Sequence, residues 1–288
     1  MSEALRVLGD GGVLIFVVAT MMGLGFRLTV NQIVGPLRSP RLPLTALLAN
    51  FVFVPALALA IRASLPLDEA VGIGLILMGT AAGAPFLPPV VQAAKGDVGA
   101  SVGVLILLMG VTIIYLPLAL PLLLPGTRID PFDIISTLIA FMLVPLVIGL
   151  LVHRRSPTIA RRWQAITSRV ANIGLIVGIL ALLILHWRAL FGVVGTGAIT
   201  VSIVLIAGAF AIGWLVAGFD RASQPVLALA TGLRNIPAAF VTADLNFEDR
   251  DVLVTCIVVA LVTLLGVPLL ARVLARHAPA SVSADKPR

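Results

Sequence analysis

The sequence predicts an all-α polytopic membrane protein with about nine transmembrane helices, and three observations carry the prediction. First, 60% of the 288 residues are hydrophobic and only 11% are charged, whereas a soluble domain carries roughly 25% charge. Second, mean hydropathy is +1.14. Much of a soluble fold's surface must face water, and this composition cannot supply it. A soluble enzyme, a disordered chain and a collagen-like rod are excluded. Third, the apolar residues form continuous runs rather than alternating ones, which excludes a β-barrel.

A helix needs about 20 apolar residues to cross about 30 Å of hydrocarbon. Nine runs qualify: Gly12 to Val30, Leu42 to Ile61, Ala70 to Ala93, Ser101 to Leu124, Ile134 to Leu151, Val170 to Leu185, Phe191 to Gly218, Pro225 to Ala243 and Val252 to Val273. Glu3 and Asp10 precede the first run, so it reads as a span rather than a signal peptide. The single Cys256 excludes a disulfide framework and a cysteine metal cluster. No cofactor is expected. The net charge of +7 has no basic face to go with it, so nucleic acid is not a partner.

The gaps between runs set the orientation. Alternate gaps beginning with the N-terminus hold five cations, Arg6, Arg62, Arg128, Arg188 and Arg250. The others hold fourteen, with five arginines between Arg154 and Arg169 alone. Cytoplasmic loops are the cation-rich ones. The N-terminus is therefore expected outside and the C-terminus in the cytoplasm of a cell that carries the protein in its inner or plasma membrane. All thirteen acids are expected at loops and span ends.

The twentieth cation, Arg234, lies inside the eighth run, between Gly232 and Pro237. A mid-membrane arginine costs about 2.5–3.5 kcal/mol on insertion scales, so it faces a cavity or a partner. Glycine loosens a helix and proline interrupts it, which predicts an unwound stretch joining two half-helices. The third run carries a matching break from Gly79 to Pro89, with two glycines and with Pro85, Pro88 and Pro89. Paired interruptions in two halves of a chain point to a secondary transporter with inverted repeats. The spans concerned are five apart, an odd offset that inverts the second copy. The expected repeats cover about 12–125, lacking a first helix, and about 132–276, in one transporter domain followed by a short tail over 277–288. An intramembrane enzyme would need a reactive cluster at depth, and none of an HExxH motif, a GxSxG motif or a buried Asp pair is expected to supply one.

Three segments carry a family resemblance: Met22-Gly23-Leu24-Gly25, the Lys95-Gly96-Asp97-Val98-Gly99-Ala100-Ser101-Val102 stretch after the third span, and Gly232-Leu233-Arg234-Asn235. Here the sequence resembles the bile acid:sodium symporter family, along nearly the whole chain. The resemblance implies two broken helices that cross, core and panel domains, and alternating access for a small organic anion. It also implies a sodium site. By position the family's glutamate and glutamine ligands fall on Ala230 and Arg234, the serine and asparagine of the first broken helix on Leu87 and Pro88, and two hydroxyls on Ser101 and Leu105. A further glutamine falls on Asn50, while Asn235 matches. Sodium is a hard cation that takes several oxygen ligands, and most of these are missing here.

In the family a glutamate and its sodium ions leave a small net positive charge, which an arginine alone also supplies. The sequence therefore predicts Arg234 as a tethered cation in place of sodium, its donors holding unwound carbonyls. The expected transporter is sodium-independent, and its substrate is a small carboxylate attracted by arginine and by half-helix N-termini. A sodium-coupled symporter with a reduced ion site and a non-transporting sensor are the alternatives. The candidate site is Arg234, Asn235, Thr231, Gly232, Ala230, Pro237, Asn50, Pro85, Leu87, Pro88 and Ser101.

Overall fold

A computed structural model describes residues 2–28, 40–125, 130–185, 197–218, 220 and 223–277. Among these residues the secondary structure is helical: α1 (Ser2–Gly25), α2 (Arg41–Ser64), α3 (Glu69–Thr80), α4 (Leu87–Ala93), α5 (Val98–Leu123), α6 (Pro131–Arg155), α7 (Pro157–Leu185), α8 (Ala198–Val216), α9 (Ser223–Gly232), α10 (Ile236–Asn246) and α11 (Arg250–His277). Eight segments are long and apolar enough to cross a bilayer, with α9 and α10 counted as one. The ninth expected span is the interrupted pair α3 and α4, whose longer half, Glu69–Thr80, falls short of that length.

Three boundaries differ from the sequence expectation. Helix α1 starts at Ser2 and ends at Gly25, because one apolar run can continue as helix through Glu3, Arg6 and Asp10 at an exposed end. Helix α7 starts at Pro157, thirteen residues before the expected Val170. Its first turns carry Arg161, Arg162 and Arg169, which lie outside the apolar pattern but favour helix well enough. Helix α11 runs on to His277. The first part of the seventh run, Arg38, Arg128, Arg188 and Arg221 of the counted cations, and the tail from residue 278 lie outside the described residues.

The helices pack in two groups. Helix α1 lies antiparallel against α7 and also against α6. Gly12 meets Gly174 and Gly178 of α7 so closely that a Cβ on Gly12 would sit 2.6 Å from the Gly178 nitrogen. Gly25 similarly packs on Gly149 of α6. Glycine lets backbones approach, and dispersion contact then holds them without any hydrophobic drive between lipid-bathed helices. The second group contains α2 to α5 and α8 to α11. Its centre is the two broken pairs, where every residue from Ala70 to Pro85 and from Val226 to Asp244 is buried. Ile173, Ile176, Leu180 and Ile184 of α7 instead point outward, as lipid-facing positions do.

Helix α2 contains a π-helical turn at Ala49–Phe53 just before Pro55. Pro55 has no N–H for the Phe51 carbonyl four residues earlier. The Tyr115 hydroxyl of α5 donates to that carbonyl at 2.9 Å instead, and the two rings pack with centroids 4.8 Å apart. The bulge ties α2 to α5 and presents Asn50 to the centre. Helix α6 repeats the device, with a π turn at Ile139–Leu143 before Pro145.

Candidate functional site

The two interruptions meet. Helix α3 ends at Thr80 and α4 begins at Leu87, while α9 ends at Gly232 and α10 begins at Ile236. Between them the Asn235 N–H donates to the Ala81 carbonyl at 2.9 Å, and the Asn235 side-chain amide donates to the Ala82 carbonyl at 3.0 Å. Asn235 also caps α10, its side-chain oxygen accepting from Ala238 N–H at 3.1 Å. One residue thus starts a half-helix and fastens the two breaks together.

Backbone groups at such a depth need partners inside the protein. Thr112 of α5 satisfies Ala82 on both sides, accepting from its N–H at 3.1 Å and donating to its carbonyl at 2.9 Å. Gly83 then turns the chain with φ of +83°, and a Cβ there would lie 2.4 Å from the Met109 nitrogen of α5. Only glycine meets both conditions.

Where α3 and α9 stop, carbonyls of their last turns are left open. Ala82 N–H would otherwise close on Met78, Gly83 N–H on Gly79, and Asn235 N–H on Thr231. Arg234 takes up all three carbonyls. Its Nε donates to Met78 O at 2.9 Å, Nη2 to Gly79 O at 2.7 Å and Nη1 to Thr231 O at 3.0 Å. Nη1 also donates to Asn50 Oδ1 at 3.1 Å. Asn50 is held by its own helix, donating to Ala46 O at 3.0 Å, and reaches the Thr231 hydroxyl at 3.5 Å. Arg234 is wholly buried. Among the described residues its acceptors are three carbonyls and one amide oxygen, and no carboxylate pairs with it.

The electrostatics follow from the helix ends. Met78 and Gly79 lie in the last turn of α3, and Thr231 in the last turn of α9. Each C-terminus carries about half a negative charge from aligned peptide dipoles. Two such ends converge on one guanidinium, whose planar donors satisfy several acceptors at once.

Of the remaining candidates, Gly232 is buried where α9 ends, and Ala230 is buried one turn before Arg234 without a polar side chain. Pro237 occupies the first turn of α10, where its missing N–H leaves no helix bond unmade. Pro85, Leu87 and Pro88 shape the path from the first break into α4. Ser101 stays within its own helix, donating to Val98 O at 2.6 Å. The string Gly99-Ala100-Ser101-Val102-Gly103 does match G-x-S-x-G, but it lies inside α5 rather than on a strand-to-helix elbow. Thr242, also buried, has a hydroxyl without a hydrogen-bond partner.

Thr112, Tyr115 and the carbonyls of Met78 and Gly79 escape sequence reasoning. Pro55 was the available signal for Tyr115, because it identifies the carbonyl that needs a donor. Asp244 does lie at a span end, in the last turn of α10, but it is drawn inward there, buried and paired with Arg250.

A bundle of apolar, membrane-length helices around two crossed, interrupted ones defines a multi-pass membrane protein. The sodium bile acid symporter family matches residues 14–193. The chain belongs to that family. The match ends before Arg234. The chain is also 25% identical over 258 residues to a probable sodium/metabolite cotransporter, BASS2, chloroplastic, of Oryza sativa subsp. japonica, an overlap of 85% of this chain and 59% of that relative. It therefore spans less than two thirds of the relative's length.

Proposed function

We propose that this protein is a secondary transporter, not an enzyme, and that it moves a small organic anion across a membrane by alternating access without sodium. Arg234 is the fixed cation of its central site. The observation that supports this reading is the guanidinium held by two half-helix C-termini and Asn50. In interrupted-helix transporters such ends coordinate sodium or protons. A cation covalently attached to the chain cannot leave with the substrate, so it gives no coupling. The protein is then a uniporter or an exchanger.

The substrate class we infer is a small carboxylate, such as a keto acid or a pantoate-like metabolite. The positive charge of Arg234 and the N-terminus of α10 both favour an anion. The crossed breaks are consistent with repeats of about 12–125 and 132–276 in inverted topology. Orientation follows the arginines, with the C-terminal end cytoplasmic in an inner or plasma membrane.

Uptake by proteoliposomes tests this reading, with a panel of labelled small carboxylates and either sodium or choline outside. Equal rates are expected. A rate that needs an imposed sodium gradient would establish the second reading, a symporter with a reduced ion site. The rice relative's name, sodium/metabolite cotransporter, favours that alternative. Binding without any flux would instead indicate a sensor.

A further inference from the structure

The two helix groups meet where α1 and α6 pack on α10 and where α6 packs on α5, and a cluster of charges that the central site does not use sits at the α1–α10 contact. Arg250, at the start of α11, faces Asp10 of α1 in a bidentate pair, Nη1 to Oδ1 and Nη2 to Oδ2, each at 3.3 Å. The same guanidinium bonds Asp244 near the end of α10. Arg6 lies 3.8 Å from Asp10, largely exposed. Among the described residues the other side-chain bonds stay within one group, as Tyr115 to Phe51, His153 to Phe26 and Cys256 to Gly74 do. The Arg250 cluster crosses between groups.

Its position can be read from neighbouring contacts. Gly23 of α1 faces Thr167 of α7, whereas Gly12 faces Gly178. Asp10 therefore lies at the end of the bundle away from the arginine-rich α6–α7 turn. Immediately inward, Phe16 of α1 packs on Phe240 of α10, with ring centroids 6.3 Å apart. Helix α10 rises about 1.5 Å per residue, so Asp244 lies roughly 14 Å along it from the crossing at Asn235. The charges therefore cap the outer end of the α1–α10 contact, outward of Phe16 and Phe240.

We propose that Asp10, Arg250 and Asp244 form a charge latch that closes this end of the seam between the two helix groups and opens when the central site is exposed to that side. This rests on the alternating-access reading above. The balance of energies suits a reversible contact. Asp244 is 1% exposed while Arg250 and Asp10 are about a quarter exposed. Coulomb attraction holds the closed state, and hydration of three charges compensates when they separate, so neither state is far below the other. An apolar seam alone has no such compensation.

The test reads accessibility rather than transport. Phe16→Cys is introduced beside Phe240 in a Cys256→Ala background, which removes the single native cysteine. The protein in proteoliposomes is labelled with a membrane-impermeant maleimide. Arg250→Ala should speed labelling at position 16 at least about tenfold, as loss of a partly buried charge network favours the open state. Asp10→Asn, which leaves the Arg250–Asp244 pair intact, should speed it severalfold and covers the case in which Arg250→Ala fails to fold. Labelling unchanged in folded Asp10→Asn and Arg250→Ala proteins would overturn the latch. Faster labelling without flux of any carboxylate would keep the latch and sink the transport reading; flux with unchanged labelling would do the reverse.

Discussion

Arg234 and Asn235 perform different tasks in adjacent positions. Arg234 supplies charge and four hydrogen bonds to groups that helix termination leaves open. Arg234→Ala strips three buried carbonyls of their donor, at about 1–3 kcal/mol for each such group. It should lower the unfolding midpoint sharply and abolish uptake. Arg234→Lys keeps the charge but presents three donors at one point rather than a planar fork, so it should retain more stability than Arg234→Ala while still impairing uptake. Normal kinetics in both variants would remove the residue from the mechanism. Asn235→Ala loses a cap and the bond to Ala82, but the backbone bond to Ala81 survives. A loss of about 2 kcal/mol is expected, read from thermal unfolding in detergent. Arg234 was legible in the sequence because it is a charge surrounded by apolar residues. Its acceptors were not, because a carbonyl carries no sequence identity and Met78 and Gly79 lie more than 150 residues away.

The broken helices were legible as elements because glycine and proline disturb a helix in known ways. Two details were not. Gly83 reads in sequence as one more helix breaker, yet among the described glycines it alone combines a positive φ with close backbone contact, on Met109. Gly83→Ala should therefore prevent stable folding, whereas Gly110→Ala, with open space at its Cβ, should raise or preserve the melting temperature, since alanine is the better helix former. The π turn in α2 was hidden as well. Its consequence is a hydrogen bond from Tyr115, so Tyr115→Phe should cost about 1 kcal/mol while Phe51 and the ring packing remain. Helix α7 began earlier than hydropathy implied because arginine is a good helix former, and a hydropathy pattern reports where a helix is buried in lipid rather than where it starts.

At the scale of the whole molecule, composition alone established a membrane protein, and the family match bears it out. The division into two packed helix groups does not follow chain order: α1 from the first half joins α6 and α7 from the second. Sequence periodicity cannot show that arrangement, because it arises from tertiary packing of glycine-lined seams. The same assembly brings Asp10 to Arg250 across 240 residues, and Asp244 with it, which explains why acids that read as loop residues form a partly buried cluster. A centre that already holds its cation should not respond to sodium. The most direct measurement is the thermal unfolding midpoint of the purified protein in sodium chloride and in choline chloride at equal ionic strength. A ligand that binds only the folded state raises the midpoint, by several degrees when it is well above its dissociation constant. With Arg234 in place the two midpoints should coincide. A sodium-specific rise of several degrees in the unmutated protein would contradict the assignment of Arg234 as the resident cation.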